Sequence, residues 1–305
     1  MSTPSHLLSI LTEGVKINAM RREQRDTRCF LIKTRRIWAA PILLGANAFF
    51  QLAKAPLRSI LSTEQWQNWE VECFLALHGP EGFAASTHGA RAVAAEELPG
   101  TNLTDFLDAG RLTPAMAAAA ARELSRVHAW QAPYFDGGWS HGDAHAGNFV
   151  IEARGDEWRA RIIDFELRHL AALPAEERQL DDLVGFLLDI VGRIEPSHWL
   201  PCAEAFVSAY GTASLVARLP ERLLPGGTAP YGQMWRRVQT GFLSRAEYER
   251  CMEMLLASAV FRRPEEPPAK AAPPHPFVPA FATAQPSELV AKTHSATGMP
   301  PSRCS

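Results

Sequence analysis

The sequence predicts an α+β fold of two lobes, a small strand-rich one followed by a larger, mostly helical one. Three observations carry this expectation. The chain has 305 residues, enough for one large domain or for two lobes around a cleft. Hydrophobic residues make up 47% and charged residues 21%, the proportions of an ordinary globular protein. Strand-like and helix-like segments alternate through the first half, and helical periodicity dominates the second. The expected divisions are residues 10–97 for the small lobe, 98–262 for the helical lobe and 263–305 for a tail. The tail is rich in Pro and Ala without a period, and is expected to be disordered.

The elements follow in order. Strands are expected at residues 15–20 and 28–33, with the charged stretch 22–27 as the turn between them. CFLIK in the second run mixes aromatic and β-branched residues as a strand should. Next comes IWAAPILLGANAFFQLA, uncharged from Ile37 to Ala53, with Arg35 and Arg36 before it and Lys54 and Arg58 after it. A membrane span needs about 20 apolar residues. This run is shorter and contains Pro41, Gly45, Asn47 and Gln51, so it reads as a core helix or an interfacial one. Its basic flanks and Trp38 tilt the balance toward contact with an anionic membrane surface.

A helix over residues 63–77 places Trp66, Trp69, Cys73 and Leu77 at helical spacing. Two short strands within 83–98 turn near His88–Gly89, and a short helix follows at 103–109. Thr113 is a good N-cap and Pro114 a good first residue for an Ala-rich helix running to Trp130. Further helices are expected at 180–194, 202–216 and 245–261.

The net charge of −2 gives no sign of a nucleic-acid partner, and none is expected. The average hides a basic end, since residues 1–60 hold ten Lys and Arg against three acids. Such an end attracts phosphates or an anionic surface, or is simply a solvated basic face. The five cysteines are odd in number and widely spaced, with no C-x-x-C pair, which points to a reducing compartment. The first residues do not read as a signal peptide, so a cytoplasmic protein is expected.

The chemistry concentrates in residues 139–167, WSHGDAHAGNFVIEARGDEWRARIIDFEL. Phosphoryl transfer needs a carboxylate to orient a hydroxyl and take its proton, oxygen ligands to hold Mg²⁺ on the phosphates, and a scaffold that keeps both in register. Asp143 supplies the first. Asn148, five residues on, and Asp164, at the end of an apolar strand, supply the second. A hairpin turning at Gly155–Asp156 would bring Asn148 and Asp164 together. Zinc ligation by His141, Asp143 and His145 is the competing reading, but His169 and His198 stand too isolated to complete such a site.

HGDAHAGN followed by IIDFE resembles the lipopolysaccharide core kinases, the Kdo and heptose kinases of the protein-kinase-like superfamily. Aminoglycoside and choline kinases share a similar HGD-x-x-x-x-N pattern. The resemblance covers roughly residues 14–195. It implies a two-lobed protein-kinase-like fold, with a reduced N-lobe sheet and a mostly helical C-lobe, that uses ATP and Mg²⁺. Lys33 in CFLIK would contact the ATP phosphates and be held by Glu70, with Glu72 as the alternative. Glu97 and Leu98 would form the hinge beside the nucleotide. Asp181 or Asp182 would brace the catalytic loop. The implied acceptor is a sugar hydroxyl of a lipopolysaccharide-type glycolipid, which places the protein on the inner membrane as a peripheral protein. A soluble small-molecule acceptor and a pseudokinase scaffold are the alternatives.

The departures are specific. No G-x-G-x-x-G precedes Lys33, and only Gly14 is available there. DFG has become Asp164-Phe165-Glu166. The Arg of the HRD motif is Gly142, so control by activation-loop phosphorylation is not expected. The short stretch between Glu166 and Asp181 leaves little room for a peptide platform, which favours a glycolipid or small-molecule acceptor.

Overall fold

The computed structural model describes residues 17–224, 238–241 and 243–261. The expected tail, Gly14 and the start of the first expected strand lie outside these residues. The first lobe contains β1 (Asn18–Arg25), β2 (Arg28–Arg35), α1 (Ala39–Ala53), β3 (Leu57–Ser59), α2 (Thr63–His78), β4 (Ala85–His88) and β5 (Ala92–Glu96). Then come β6 (Thr101–Asn102), α3 (Leu103–Asp108), α4 (Pro114–His128), β7 (Phe149–Arg154), β8 (Glu157–Ile162) and β9 (Leu167–His169). The described residues continue with α5 (Ala175–Arg193), α6 (Pro196–Tyr210), α7 (Ala213–Leu223) and α8 (Arg245–Leu256).

Four antiparallel strands in the order β1-β2-β5-β4 make the small sheet. Residues 22–25, expected in a turn, instead extend β1, and the turn falls at Asp26 with φ 50. The charges there are no obstacle to a strand, because β1 is an edge and its side chains pair along it, Arg21 and Arg25 with Glu23. Helix α2 lies against the sheet, burying Trp66, Trp69, Cys73 and Leu77 as their spacing predicts. The Ser62 hydroxyl caps it by accepting from Gln65 N at 3.3 Å. Gln67 fastens it to the β4–β5 turn, donating to the carbonyls of Ala92 (2.7 Å) and Gly89 (3.0 Å).

The second lobe packs α4 against α6, with Ala117, Ala120, Ala121 and Leu124 buried. Thr113 caps α4 and Pro114 opens it, and the helix stops at His128 rather than Trp130. The helix expected at 202–216 is two helices, because Gly211 at φ 80 ends α6 in a left-handed cap. Helix α5 begins five residues before its apolar face does, on Glu176 and Glu177, which favour a helix N-terminus. A small sheet with its helix is thus joined near Glu97 to a mostly helical lobe, the two-lobed α+β arrangement expected from the sequence.

One pairing was not expected. Strands β3 and β9 pair antiparallel, Leu57 with His169 and Ser59 with Leu167. This ribbon takes the stretch directly after Glu166 and ties it to the segment carrying α1. Helix α1 is held to the ribbon by Asn47, whose side chain accepts from Ser59 N (2.7 Å) and donates to Ser59 O (3.0 Å).

Candidate active site

Lys33 stands on β2 with three carboxylates around it. Its Nζ donates to Glu70 Oε1 at 2.7 Å and Asp164 Oδ1 at 2.5 Å, and lies 2.7 Å from Glu166 Oε1. Glu70 rather than Glu72 is the partner on α2: the Trp66 indole N–H also donates to it at 3.1 Å, while Glu72 is exposed. Burial works against the charge of Lys33, but the three carboxylates outweigh it and hold its pKa well above the ordinary lysine value. The same crowding acts in reverse on Glu166. Burial and the charges of Asp164 and Glu70 push its pKa up to about 7, against the pull of Lys33. The Asn18 amide donates to Glu166 as well. The part of Glu166 at this lysine was not legible from the sequence, where it registered only as the loss of a glycine.

Asp164 has φ 65, a left-handed conformation that Asp tolerates better than most residues. Its neighbours hold it there. Ile163 N donates to Asn148 O at 2.8 Å, continuing the β7–β8 register, so the hairpin does carry Asn148 alongside the residue before Asp164. Phe165 is buried, its ring 5.9 Å from that of Trp139 and 5.7 Å from that of His141.

The loop from His141 to Asn148 is braced from α5 by Asp182, not Asp181. Asp182 Oδ2 accepts from His141 N (2.7 Å) and Oδ1 from Gly142 N (2.8 Å). His128 Nε2 lies 3.0 Å from Asp182 Oδ2, and its Nδ1 2.8 Å from the Tyr210 hydroxyl. Burial opposes ionisation of Asp182, but the nearby imidazoles, His169 foremost, and the His128 hydrogen bond bring its pKa down to about 2. Asp181 faces His169 instead, at 3.3 Å.

His141 uses both ring nitrogens inside the fold. Nδ1 accepts from Asp143 N at 3.1 Å, which leaves Nε2–H to donate to Ile163 O at 3.0 Å. It is a brace rather than a zinc ligand. The Asn148 amide nitrogen donates to Asp143 O at 2.7 Å, so its oxygen is the ligand atom it has to offer. His145 Nδ1 accepts from Gly147 N at 3.0 Å and its Nε2 lies 3.6 Å from Asp143 Oδ2. The Asp143 carboxylate outweighs burial and pushes His145 up to about 9, while His145 in turn holds Asp143 below its ordinary value against the opposing effect of burial.

Gly142 has φ 85, and a Cβ there would lie 3.3 Å from Leu57 Cδ2 and 3.4 Å from the Arg168 carbonyl carbon. The β3–β9 ribbon therefore occupies the ground beside this position, where the kinase motif has arginine.

A cavity of about 580 Å³ opens between the lobes. Leu31, Val93, Ala95, Leu98 and Ile163 give it apolar walls, and Lys33, Glu70 and Asp164 lie at its polar side. Glu97 reaches its rim, paired to Arg22 at 2.6 Å, and its backbone N–H donates to Cys29 O at 2.8 Å. The structure thus brings Lys33, Glu70, Glu97, Leu98 and Asp164 to one cavity. Asp143 borders a second, smaller one of about 180 Å³ together with His145, Asp181, Asp182 and Asp189. Glu70, Asp164 and Glu166 offer carboxylate oxygens within 4.8 Å of one another, hard oxygen donors of the type Mg²⁺ takes, but in this structure the Lys33 ammonium pairs with all three.

No family profile and no curated protein matches the chain. Among solved structures it is similar to the ethanolamine kinase of Plasmodium vivax, with TM-score 0.43 and 10% identity over 78% of each chain. It is similar to the gentamicin complex of the aminoglycoside phosphotransferase APH(2")-IIa, with TM-score 0.36 and 11% identity over 86% of this chain and 98% of that one. It is also similar to the bifunctional kinase-methyltransferase WbdD, with TM-score 0.32 and 17% identity over 72% of this chain and 47% of that one. None of these likenesses is close enough to carry a substrate or a residue role to this chain.

Proposed function

We propose that the protein is a phosphotransferase that moves the γ-phosphoryl group of ATP, with Mg²⁺, to a sugar hydroxyl of a lipopolysaccharide-type glycolipid at the cytoplasmic face of the inner membrane. The observation that carries the reaction class is the Lys33–Glu70–Asp164 cluster at the wall of an apolar cavity, beside a loop that holds Asp143 and Asn148.

The adenine would lie between the apolar walls near Glu97 and Leu98. Lys33, held by Glu70, would neutralise phosphate charge. Asp164 and Asn148 would hold Mg²⁺, with Glu166 within reach of the same ion, and the ion would supply charge stabilisation on the phosphates. The acceptor oxygen forms its bond to the γ-phosphorus as the bond to the ADP oxygen breaks. Asp143 orients that hydroxyl and takes its proton. Its carboxyl is held below the ordinary range, so it is ionised at neutral pH and can accept the hydrogen bond that orients the hydroxyl.

A second reading has an observation in its favour. The small cavity beside Asp143 is lined by Asp181, Asp182 and Asp189, which suits an amine-bearing soluble acceptor as well. A pseudokinase scaffold fits the chain less well, since the sequence keeps Asp143, Asn148 and Asp164 and Lys33 pairs with Glu70. Purified protein with γ-labelled ATP, offered core glycolipids and then aminoglycosides and amino alcohols, separates these readings. Label on the glycolipid alone supports the proposal. Label on the soluble amines alone moves the assignment to the second reading.

A further inference from the structure

Helix α1 has two apolar faces, and only one is covered. Ala39, Leu43, Phe50 and Ala53 turn inward, the last two packing with Ala55, Leu57 and Leu167. The opposite face carries Leu44 (57% exposed) and Leu52 (55%), with Pro41 and Ala48 also exposed at helical spacing on the same face. Ile37 (81%) and Trp38 (40%) extend it just ahead of the helix. These four large side chains are four of the ten exposed large hydrophobics among the described residues, gathered within one short segment. Such clustering marks an interaction surface, where single scattered residues would not.

The charges along this segment of the chain have one sign. No Asp or Glu occurs between Asp26 and Glu64. Arg36 and Lys54 are exposed at the two ends of the apolar strip, and Arg58 is partly exposed. The Arg36 guanidinium lies 5.2 Å from the centre of the Trp38 ring, an amphipathic pair of the kind that suits a headgroup layer. Arg35, counted as a flanking charge from the sequence, is withdrawn: it donates to Ile60 O at 2.8 Å and lies over the Trp66 ring. Among the described residues no helix is long and apolar enough to cross a membrane, so this strip would lie on a surface.

The helix is also fastened to the chemistry. It leads into β3, which pairs with the residues directly after Glu166 and touches the Gly142 position, next to Asp143.

We propose that the outward face of α1 docks on an anionic lipid bilayer and so holds a membrane-anchored acceptor near Asp143. The docking stands on the surface alone; the delivery of acceptor rests on the glycolipid reading above. The test is co-sedimentation of the full chain with phosphatidylcholine vesicles and with vesicles containing phosphatidylglycerol, at low and high salt. Wild type should pellet with the anionic vesicles at low salt and be released by high salt. Arg36→Gln with Lys54→Gln should weaken binding about 25-fold, about fivefold for each charge near an anionic surface. Leu44→Asp with Leu52→Asp should abolish pelleting while leaving the thermal unfolding midpoint and Mg²⁺-ATP binding unchanged.

Wild type that stays in the supernatant, equal pelleting on neutral vesicles, or Leu44→Asp/Leu52→Asp protein that pellets like wild type would overturn the docking. So would a solution dimer that the same two substitutions dissolve, because a second copy would then own the face. Vesicle binding without transfer to any glycolipid would leave the docking standing and remove the acceptor. Transfer to glycolipid in detergent micelles without vesicle binding would do the reverse.

Discussion

Asp182→Asn puts the brace under the His141–Asn148 loop to a quantitative test. The wild-type carboxylate takes hydrogen bonds from His141 N, Gly142 N and His128 Nε2 at 2.7, 2.8 and 3.0 Å in the interior of the helical lobe. An amide of the same shape keeps one accepting oxygen and turns an NH₂ group toward a backbone N–H, leaving a buried donor unpaired. A lost bond to a charged group costs about 1.5–3 kcal/mol and an unpaired buried donor about 1–3 kcal/mol. A total of about 3–5 kcal/mol is expected, which lowers Tm by about 6–20 °C in a protein of this size. The pH dependence has a definite sign. The Asp182 pKa is depressed on folding, from 3.8 to about 2, so the stability it contributes is present above pH 3.8 and lost as pH falls toward 2. At about 1.36 kcal/mol per pH unit, about 2 kcal/mol of the gap between wild type and variant should close over that window. Urea unfolding followed by circular dichroism at pH 7 and near pH 2.5 measures both quantities. A gap under about 1 kcal/mol at pH 7, or one that ignores pH, would refute the brace.

Two further outcomes follow from the same geometry. Gly142→Ala forces a Cβ into a left-handed position against the β3–β9 ribbon, so Tm should fall by several degrees for a cost of about 1–2 kcal/mol; an unchanged melt would contradict the close approach of Leu57. Asp164→Asn should weaken Mg²⁺-ATP binding much more than metal-free ATP binding in a thermal-shift titration, and an equal effect on both would count against its metal role.

The sequence made the site legible wherever local spacing decides the geometry. Asp143, Asn148 and Asp164 are joined by a loop and a tight hairpin, so their relation is nearly local, and the β7–β8 register delivers it. Lys33 and Glu70 were legible through the resemblance, because each sits on an element with a clear period. The choice between Asp181 and Asp182 was open because adjacent residues on a helix point about 100° apart, and only packing says which direction meets the loop. The β3–β9 ribbon was illegible for a different reason: strands of three residues carry no period, and they exist only because they find each other across more than a hundred residues. Helix α1 hid its orientation in uniform apolarity, which gives a helix no preferred face until a neighbour covers one. The role of Arg35 was misjudged likewise, since its burial depends on Trp66 and Ile60 rather than on its neighbours in the chain.

The central claim is that this loop transfers phosphate. Single-turnover transfer from γ-labelled ATP in the presence of Mg²⁺, comparing wild type with Asp143→Ala on the best acceptor, tests it most directly. Wild type should label the acceptor, and Asp143→Ala should lose transfer at least about a hundredfold, as removal of a general base does, while still binding Mg²⁺-ATP and melting near the wild-type temperature. Near-wild-type transfer by Asp143→Ala would contradict the assignment, as would a wild-type protein that binds Mg²⁺-ATP yet labels no acceptor.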